Sequence, residues 1–98
     1  MANNSWRVAS HINSGPNGTV QMVPSNPKRV TLAVFTTLQG GIQGSPMSAS
    51  SLGDMTIPSN LTQILKYADF GDWMRQPFYI YDSSNGAVWQ FLEVFLLP

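Results

Sequence analysis

Short alternations of apolar and polar residues run along this chain, and no stretch keeps an apolar period of 3.6 residues over three turns. Over residues 5–12, Trp6, Val8 and Ile12 fall on one side of an extended strand. The eight Gly and seven Pro residues are spread through the chain and would interrupt a long helix. The pattern therefore predicts a protein built mainly of β-strands.

Turn signals rich in Gly, Pro and Asn divide the predicted strands. Asn17-Gly18 and Asn85-Gly86 each suit a two-residue turn, so we expect two hairpins, the second of them formed by residues 73–97. Pro77 marks a sheet edge, a bulge or a strand start. Residues 61–67 fit a strand better than one helical turn, and residues 68–72 fit a turn. The predicted strands cover residues 5–12, 19–23, 28–37, a short segment near Ile42, 54–57, 61–67, 73–82 and 87–97.

Two of these strands have two largely apolar faces. The strand over residues 28–37 is apolar or small on both sides, which is typical of a central strand that is covered on both faces. The last strand, over residues 87–97, is interrupted only by Gln90 and Glu93. Seven or eight short strands at regular spacing indicate an antiparallel sandwich or a small barrel. We predict an all-β, antiparallel β-sandwich, jelly-roll-like, that forms a single domain over residues 1–98.

Charge is scarce, since 10% of the residues are charged, against about 25% in an average soluble domain. Ser, Thr, Asn and Gln make up 30 of the 98 residues, and the net charge is zero. This balance argues against electrostatic binding of nucleic acid, and the absence of cysteine excludes disulfides and thiolate metal sites. Residues 87–98 are too short and too polar to span a bilayer. The net charge is +3 over residues 1–53 and −3 over residues 54–98. Either the protein has two faces of opposite charge, or this segregation of a few charges arose by chance.

No combination of residues predicts catalysis, a cofactor or a metal ion. His11 is the single histidine and has no nucleophile-elbow motif to serve. Asp69 and Asp72 lie in a predicted turn, where aspartate is common for backbone reasons. Core packing accounts better for the tryptophans and tyrosines than a stacking platform for sugar or nucleic acid does. Residues 1–18 contain no basic segment followed by an apolar run, so we expect no signal peptide there and give the sequons at Asn3, Asn17 and Asn60 little weight as functional sites.

The two-faced last strand leaves more apolar surface than one small sandwich can bury. Burying a large apolar side chain contributes about 1.5–3 kcal/mol before entropy costs, so a few such residues suffice for an oligomer. A barrel, or a loop of the same chain, could cover that face instead. A homo-oligomer is the preferred interpretation. Residues 38–53 form an unusually long connection for a compact domain, which suggests that contact with a partner orders them. The interface candidates are Trp89, Phe91, Phe95, Leu97, Ile42, Met47 and Arg29.

Several short motifs resemble small β-sandwich proteins of tailed bacteriophages. They are the NPKR turn at residues 26–29 before a central strand, the DFGD turn at residues 69–72 before an aromatic strand, and a closing strand around Glu93. The resemblance covers roughly residues 24–97 and implies a virion component. It also implies a structural role for Arg29, which would anchor the sheet through backbone carbonyls or through Asp69 or Asp72. The alternative is a surface arginine that makes a pair between subunits.

The resemblance implies a non-enzymatic virion structural protein. We expect a capsid cement or decoration protein that contacts copies of itself and other virion proteins, above all the major capsid protein, on the capsid exterior rather than the tail. No nucleic acid or membrane partner is expected. The first alternative is a tail, adaptor or fibre module that binds a partner protein or a host glycan through exposed aromatics. A small hydrolase is a third hypothesis, and it requires aspartates that converge in a cleft.

Overall fold

Eight strands and one helical segment form the chain in a computed structural model that describes residues 4–12, 19–44, 55–81 and 87–97. The helical segment is one turn of α-helix, α1, followed directly by a 3₁₀ turn. In chain order the elements are β1 (Asn4–Ile12), β2 (Thr19–Val23), β3 (Arg29–Thr36), β4 (Gly40–Gln43), β5 (Met55–Ile57), β6 (Gln63–Lys66), α1 (Tyr67–Phe70), the 3₁₀ turn (Gly71–Arg75), β7 (Phe78–Tyr81) and β8 (Val88–Leu96). The prediction of an all-β fold is confirmed.

The strands form two four-stranded sheets in which every pair is antiparallel. The first sheet has the order β1-β8-β3-β6 and the second sheet has the order β2-β7-β4-β5. β3 lies between β8 and β6, so its predicted central position is confirmed. The short strand predicted near Ile42 is also present, as β4.

Both predicted hairpins are wrong. β1 belongs to the first sheet and β2 to the second, and β7 and β8 are divided in the same way. The Asn-Gly pairs themselves lie outside the described residues. A local turn signal permits a reversal of the chain, but the pairing partner of each strand depends on which apolar faces can be buried together. Apart from β4 and β5, which pair with each other, consecutive strands of the described chain lie in different sheets.

The strand predicted over residues 73–82 begins later, at Phe78, which corrects its boundary. Residues 71–75 form the 3₁₀ turn, and Trp73 packs from there against Phe70 and Phe78 at ring-centroid distances of 5.3 and 5.0 Å. Pro77 precedes the first residue of β7, which fits its inability to donate to a ladder. The aromatic side chains of this segment pack through a helical turn rather than through strand alternation.

A β-bulge in β3 decides which side chains of that strand enter the core. Arg29 is paired with Phe95 and Thr31 with Val94, so β3 advances two residues while β8 advances one. The extra residue, Val30, shifts the alternation by one position. Arg29 therefore points to the same side as Leu32, and both are fully buried. The simple alternation in the sequence places Arg29 on the opposite side from Leu32.

One hydrophobic cluster joins the inner sides of both sheets. The first sheet contributes from β3, β6 and β8, and the second contributes from all four of its strands. Met74 of the 3₁₀ turn and Ala87, directly before β8, complete the cluster. Its buried members are Met22, Val23, Leu32, Val34, Ile42, Ile57, Leu65, Met74, Phe78, Ile80, Ala87, Trp89 and Phe91.

Candidate functional site

The side of the first sheet that faces away from this cluster is called the outer face. Residues directly opposite each other in antiparallel strands point to the same side, so the register defines its members. One row across the sheet contains Val8, Leu92, Ala33 and Ile64. The next row contains Trp6, Val94, Thr31 and Lys66, and Ile12 lies opposite Val88 nearer the other end.

Large apolar side chains of the outer face are exposed. The exposed fraction is 68% for Trp6, 63% for Ile12, 57% for Val8, 52% for Ile64 and 38% for Leu92. Four strands about 4.8 Å apart, with a length of nine residues in β1 and β8, give a face of roughly 500 Å². Apolar side chains cover only part of this area, because Ser10, Gln90, Thr31 and Lys66 lie on the same face. A contiguous exposed apolar patch on a soluble protein often marks an interaction site.

The outer face contains two shallow hollows. One, of about 270 Å³, is lined by Val8, Ala33, Phe35, Leu92 and neighbouring residues of β8 and of the segment before β6. The other, of about 390 Å³, lies beside Trp6 at the start of β1. It is also lined by Asn4, Ser5, Leu92 and Val94. A partner with projecting side chains would find apolar recesses on both sides of Leu92.

Charge is nearly absent from the outer face. In the two rows and the Ile12–Val88 pair defined above, Lys66 at the β6 edge is the one charged residue. Arg7 and Glu93 are opposite each other in β1 and β8, and they project to the inner side. The depletion of charge from an apolar patch is typical of the centre of a protein–protein interface.

A buried ion pair lies beneath this face. Arg29 Nε donates to Glu93 Oε2 at 2.7 Å, and both side chains are completely buried. Arg7 Nη2 donates to the other carboxylate oxygen, Oε1, at 2.6 Å from a side chain that is 47% exposed. Two of the three cations of residues 1–53 thus contact one acid of residues 54–98 within the same chain.

The Arg29 guanidinium also satisfies three backbone carbonyls. Its Nη1 donates to Met74 O at 2.8 Å and to Gln76 O at 2.7 Å, and its Nη2 donates to Pro24 O at 2.6 Å. These carbonyls belong to the segments after β2 and before β7, outside the strand ladders. With Glu93, four of its five N–H groups have acceptors. Arg29 therefore ties the segments that flank two strands of the second sheet to the first sheet.

The same corner holds a second arginine. Arg75 Nε donates to Arg29 O at 3.0 Å, and its guanidinium carbon lies 3.6 Å from the centroid of the Tyr67 ring. Burial lowers the pKa of Arg29, whereas its hydrogen bond and charge interaction with Glu93 act in the opposite direction. Arginine keeps its proton in proteins, so this network of hydrogen bonds carries fixed charge and stabilises the fold.

The interface candidates from the sequence fall into three groups. Trp89, Phe91, Ile42 and Arg29 are at most 1% exposed and contribute to the interior of the chain itself. Phe95 is half-buried, and Leu97 is exposed to 45%. Met47 lies outside the described residues. The four buried side chains are not accessible to a partner, so the proposals below use exposed positions instead.

The candidates for acid–base chemistry do not form a cleft. Asp69 and Asp72 are exposed near α1, and Asp72 accepts a hydrogen bond of 3.2 Å from Tyr67 Oη. Neither lies within hydrogen-bonding distance of Arg29, whose carboxylate partner is Glu93. Asp54 and Asp82 lie outside the described residues. Over the part of the chain that is described, no three His, Asp or Glu side chains cluster where they could hold a metal ion.

Among the tryptophans, the structure separates core from surface. Trp89 is buried and Trp73 is half-buried, in agreement with core packing. Trp6 is exposed to 68%, so core packing does not account for it. The sequence placed Trp6, Val8 and Ile12 on one side of a strand but did not say which side faces water. Arg7, on the opposite side, projects inward because its acceptor Glu93 is buried.

The comparisons with known proteins returned no match to a family model, a curated protein or a solved structure. Among the described residues, no helix is both long and apolar enough to cross a membrane.

Proposed function

We propose that this chain is a non-enzymatic virion structural protein that works by adhesion, with the outer face as its adhesive surface. The observation that carries the proposal is an apolar, charge-poor face of roughly 500 Å² exposed on a regular sheet. A cement or decoration protein on the capsid exterior requires an exposed adhesive surface of this kind, because it must bury surface against neighbouring capsid subunits. The major capsid protein is the proposed partner, together with further copies of this chain.

We also propose that the architecture is a jelly-roll sandwich. Each strand pairs with the strand at the mirror position in the chain, namely β1 with β8, β2 with β7, β3 with β6 and β4 with β5. This nesting is what a long antiparallel hairpin acquires when it is rolled into two sheets. Eight-stranded jelly rolls occur widely in viral capsid proteins and lectins, which supports a virion role as well as the fold.

The test compares head stability with and without single substitutions on the outer face. Heads carrying the wild-type chain are expected to withstand a higher temperature before they release DNA than heads assembled without it. Leu92→Lys and Ile64→Lys place a charge on the outer face and should abolish binding to heads, while circular dichroism stays unchanged. Leu38→Lys is the matched control, because Leu38 is 44% exposed in the connection between β3 and β4.

Equal rupture temperatures with and without the chain would reject the cement role. Normal binding of the two outer-face variants to heads would reject the outer face as the adhesive surface. Loss of binding in all three variants would show that exposed aliphatic side chains matter wherever they lie, which would also contradict the assignment to this face.

A second candidate function rests on Trp6. Its exposed indole borders the 390 Å³ hollow, to which Asn4 and Ser5 add polar groups beside Leu92 and Val94. An aromatic ring with a few polar neighbours in a concave site suits a sugar ring, which fits a tail or fibre module that binds a host glycan. Binding on a glycan array that Trp6→Ala abolishes would favour this function, and an array without hits would remove it.

A further inference from the structure

The edges of the two sheets differ in how well they are protected against pairing. β6 is four residues long and ends at Lys66, and β5 is three residues long. β2 is interrupted by a register shift between Gln21 and Val23. Short strands, edge lysines and bulges are the devices by which proteins block association through sheet edges. Three of the four edges therefore carry such a device.

The remaining edge, β1, carries none of these devices along its nine residues. It contains no Gly and no Pro, and its register with β8 is continuous from Asn4 to Ile12. Within the described residues, β8 is its one strand neighbour, so alternate N–H and C=O groups along about 30 Å point away from the sheet. An inward-pointing charge can also protect an edge, but Arg7 donates to Glu93 of the neighbouring strand β8 at 2.6 Å, which holds its guanidinium on the side away from the open edge.

We propose that β1 is the docking edge for a second copy of this chain, in an antiparallel β1–β1 pair around a two-fold axis. This inference deepens the assembly role proposed above and rests on it for its biological purpose. Val8 is the central residue of β1, so an axis at Val8 is the one register that pairs all nine residues. It places Val8 opposite Val8 of the other copy and Trp6 opposite Ser10.

The charges on β1 suit this register. Arg7 is the only charged residue of the strand, and an axis at Val8 places it opposite Ala9 of the other copy. An axis at Arg7 would instead place the two arginines opposite each other, which is unfavourable. The pair would also join two outer faces side by side, with Trp6, Val8 and Ile12 along the seam. The result is one eight-stranded sheet with about twice the adhesive area.

Thiol cross-linking tests the geometry directly, because the chain contains no cysteine. Directly opposed residues have Cβ atoms about 4.5–5.5 Å apart, beyond the roughly 3.5–4.5 Å of an unstrained disulfide, so a short bifunctional thiol reagent is used to link Val8→Cys in two copies. Ile64→Cys is the matched control, since Ile64 is exposed to 52% on the same face but belongs to β6, at the far edge. In the β1–β1 dimer the two copies of β6 are seven strand spacings apart, about 34 Å.

We expect the wild-type chain to sediment as a dimer at micromolar concentration, V8C to form linked dimers, and I64C to remain unlinked. A wild-type monomer at about 100 µM, tenfold or more above that range, would overturn the proposal. Linking of I64C as readily as V8C would overturn it too, because that result indicates packing of outer face on outer face.

Introducing a charge of either sign at Val8 provides a second test that does not depend on thiol chemistry. Val8→Lys and Val8→Glu should each weaken the dimer at least about tenfold, because like charges then oppose each other at the axis. Mixing the two variants should restore a one-to-one dimer. If both variants are folded by circular dichroism and the mixture remains monomeric, the β1–β1 pair is wrong. Head binding by the outer face is measured separately, so failure of the dimer leaves the adhesive role open to its own test.

Discussion

Replacement of Arg29 by lysine tests how much the buried network of hydrogen bonds contributes to stability. Arg29→Lys retains the positive charge beside Glu93 but replaces a planar fork of five donors with an ammonium group that has three. The native side chain serves four acceptors, the Glu93 carboxylate and the carbonyls of Pro24, Met74 and Gln76. A lysine at this position must leave at least one of them without a donor.

The magnitude follows from burial and from the type of bond. Hydrogen bonds that involve a charged group contribute about 1.5–3 kcal/mol each, so losing one or two of them costs roughly 2–5 kcal/mol. The side chains of Arg29 and Glu93 are completely buried and so is the contact with Met74 O, so water cannot replace a donor lost there without opening the core. The contacts with Gln76 O and Pro24 O are part-buried, so water can replace part of what is lost at those two. The free energy of unfolding of a native protein is about 5–15 kcal/mol, so the variant loses a substantial part of its stability.

Arg7→Lys is the matched control. Arg7 binds the same carboxylate at 2.6 Å, but its side chain is 47% exposed. Lysine can keep that contact, and water can solvate what is lost, so the change should cost less than about 1 kcal/mol. The pair of variants thus separates the effect of the buried fork from the effect of a cation near Glu93.

The assay is equilibrium unfolding in urea, followed by tryptophan fluorescence at one protein concentration. With a slope of about 1–3 kcal/mol per molar urea, Arg29→Lys should lower the midpoint by roughly 0.7–5 M and Arg7→Lys by much less. If the two variants unfold within about 0.5 kcal/mol of each other, the reasoning is refuted, because the three carbonyl contacts of Arg29 would then contribute nothing measurable.

Three further changes test single features of the fold. Gly40→Ala should cost about 1–3 kcal/mol, because its Cβ would lie 2.6 Å from Cζ2 of Trp89; calorimetry on the double variant with Trp89→Phe should show less than additive loss. Deletion of Val30 removes the β3 bulge but leaves Arg29 opposite Phe95 on the side of Leu32, because regular alternation then puts both residues on one side, so it should destabilise less than Arg29→Lys; a larger loss would contradict this register. Tyr67→Leu should lose about 0.5–1 kcal/mol that Tyr67→Phe retains, since the ring under Arg75 persists in phenylalanine; equal melting temperatures would contradict this.

The sequence predicted the strands well because strand formation is a local property. Seven of the eight segments agree with it to within a few residues, and the central position of β3 followed from its two apolar faces. Pairing was not predictable in the same way. The Asn-Gly signals suggested hairpins, yet the flanking strands lie in different sheets, since burial of both inner faces requires the chain to cross between them.

The buried pair and the exposed face were harder to predict for a related reason. One bulged residue, Val30, reverses the direction in which Arg29 points, and bulges leave no clear mark in a single sequence. Arg29 was expected to bond backbone carbonyls or else Asp69 or Asp72. It does bond three backbone carbonyls, but its carboxylate partner is Glu93 in a neighbouring strand. On β1, the apolar positions were correctly grouped on one side, but alternation alone cannot tell the inner side from the outer one.

The contacts of the Arg29–Glu93 pair also have a kinetic consequence. Its members are far apart in the chain, since Arg29 and Glu93 are separated by 64 positions and Arg7 and Glu93 by 86. Contacts of such long sequence separation require large loops to close before they stabilise anything, which slows folding to milliseconds or longer. Until β8 pairs with β3, the guanidinium of Arg29 lacks its carboxylate partner. Burying it at that stage would carry the free-energy cost of desolvating an unpaired charge. We therefore expect a late, cooperative folding step in which the first sheet forms. This step must be faster than association between chains whose first sheet is still incomplete, because such chains can aggregate.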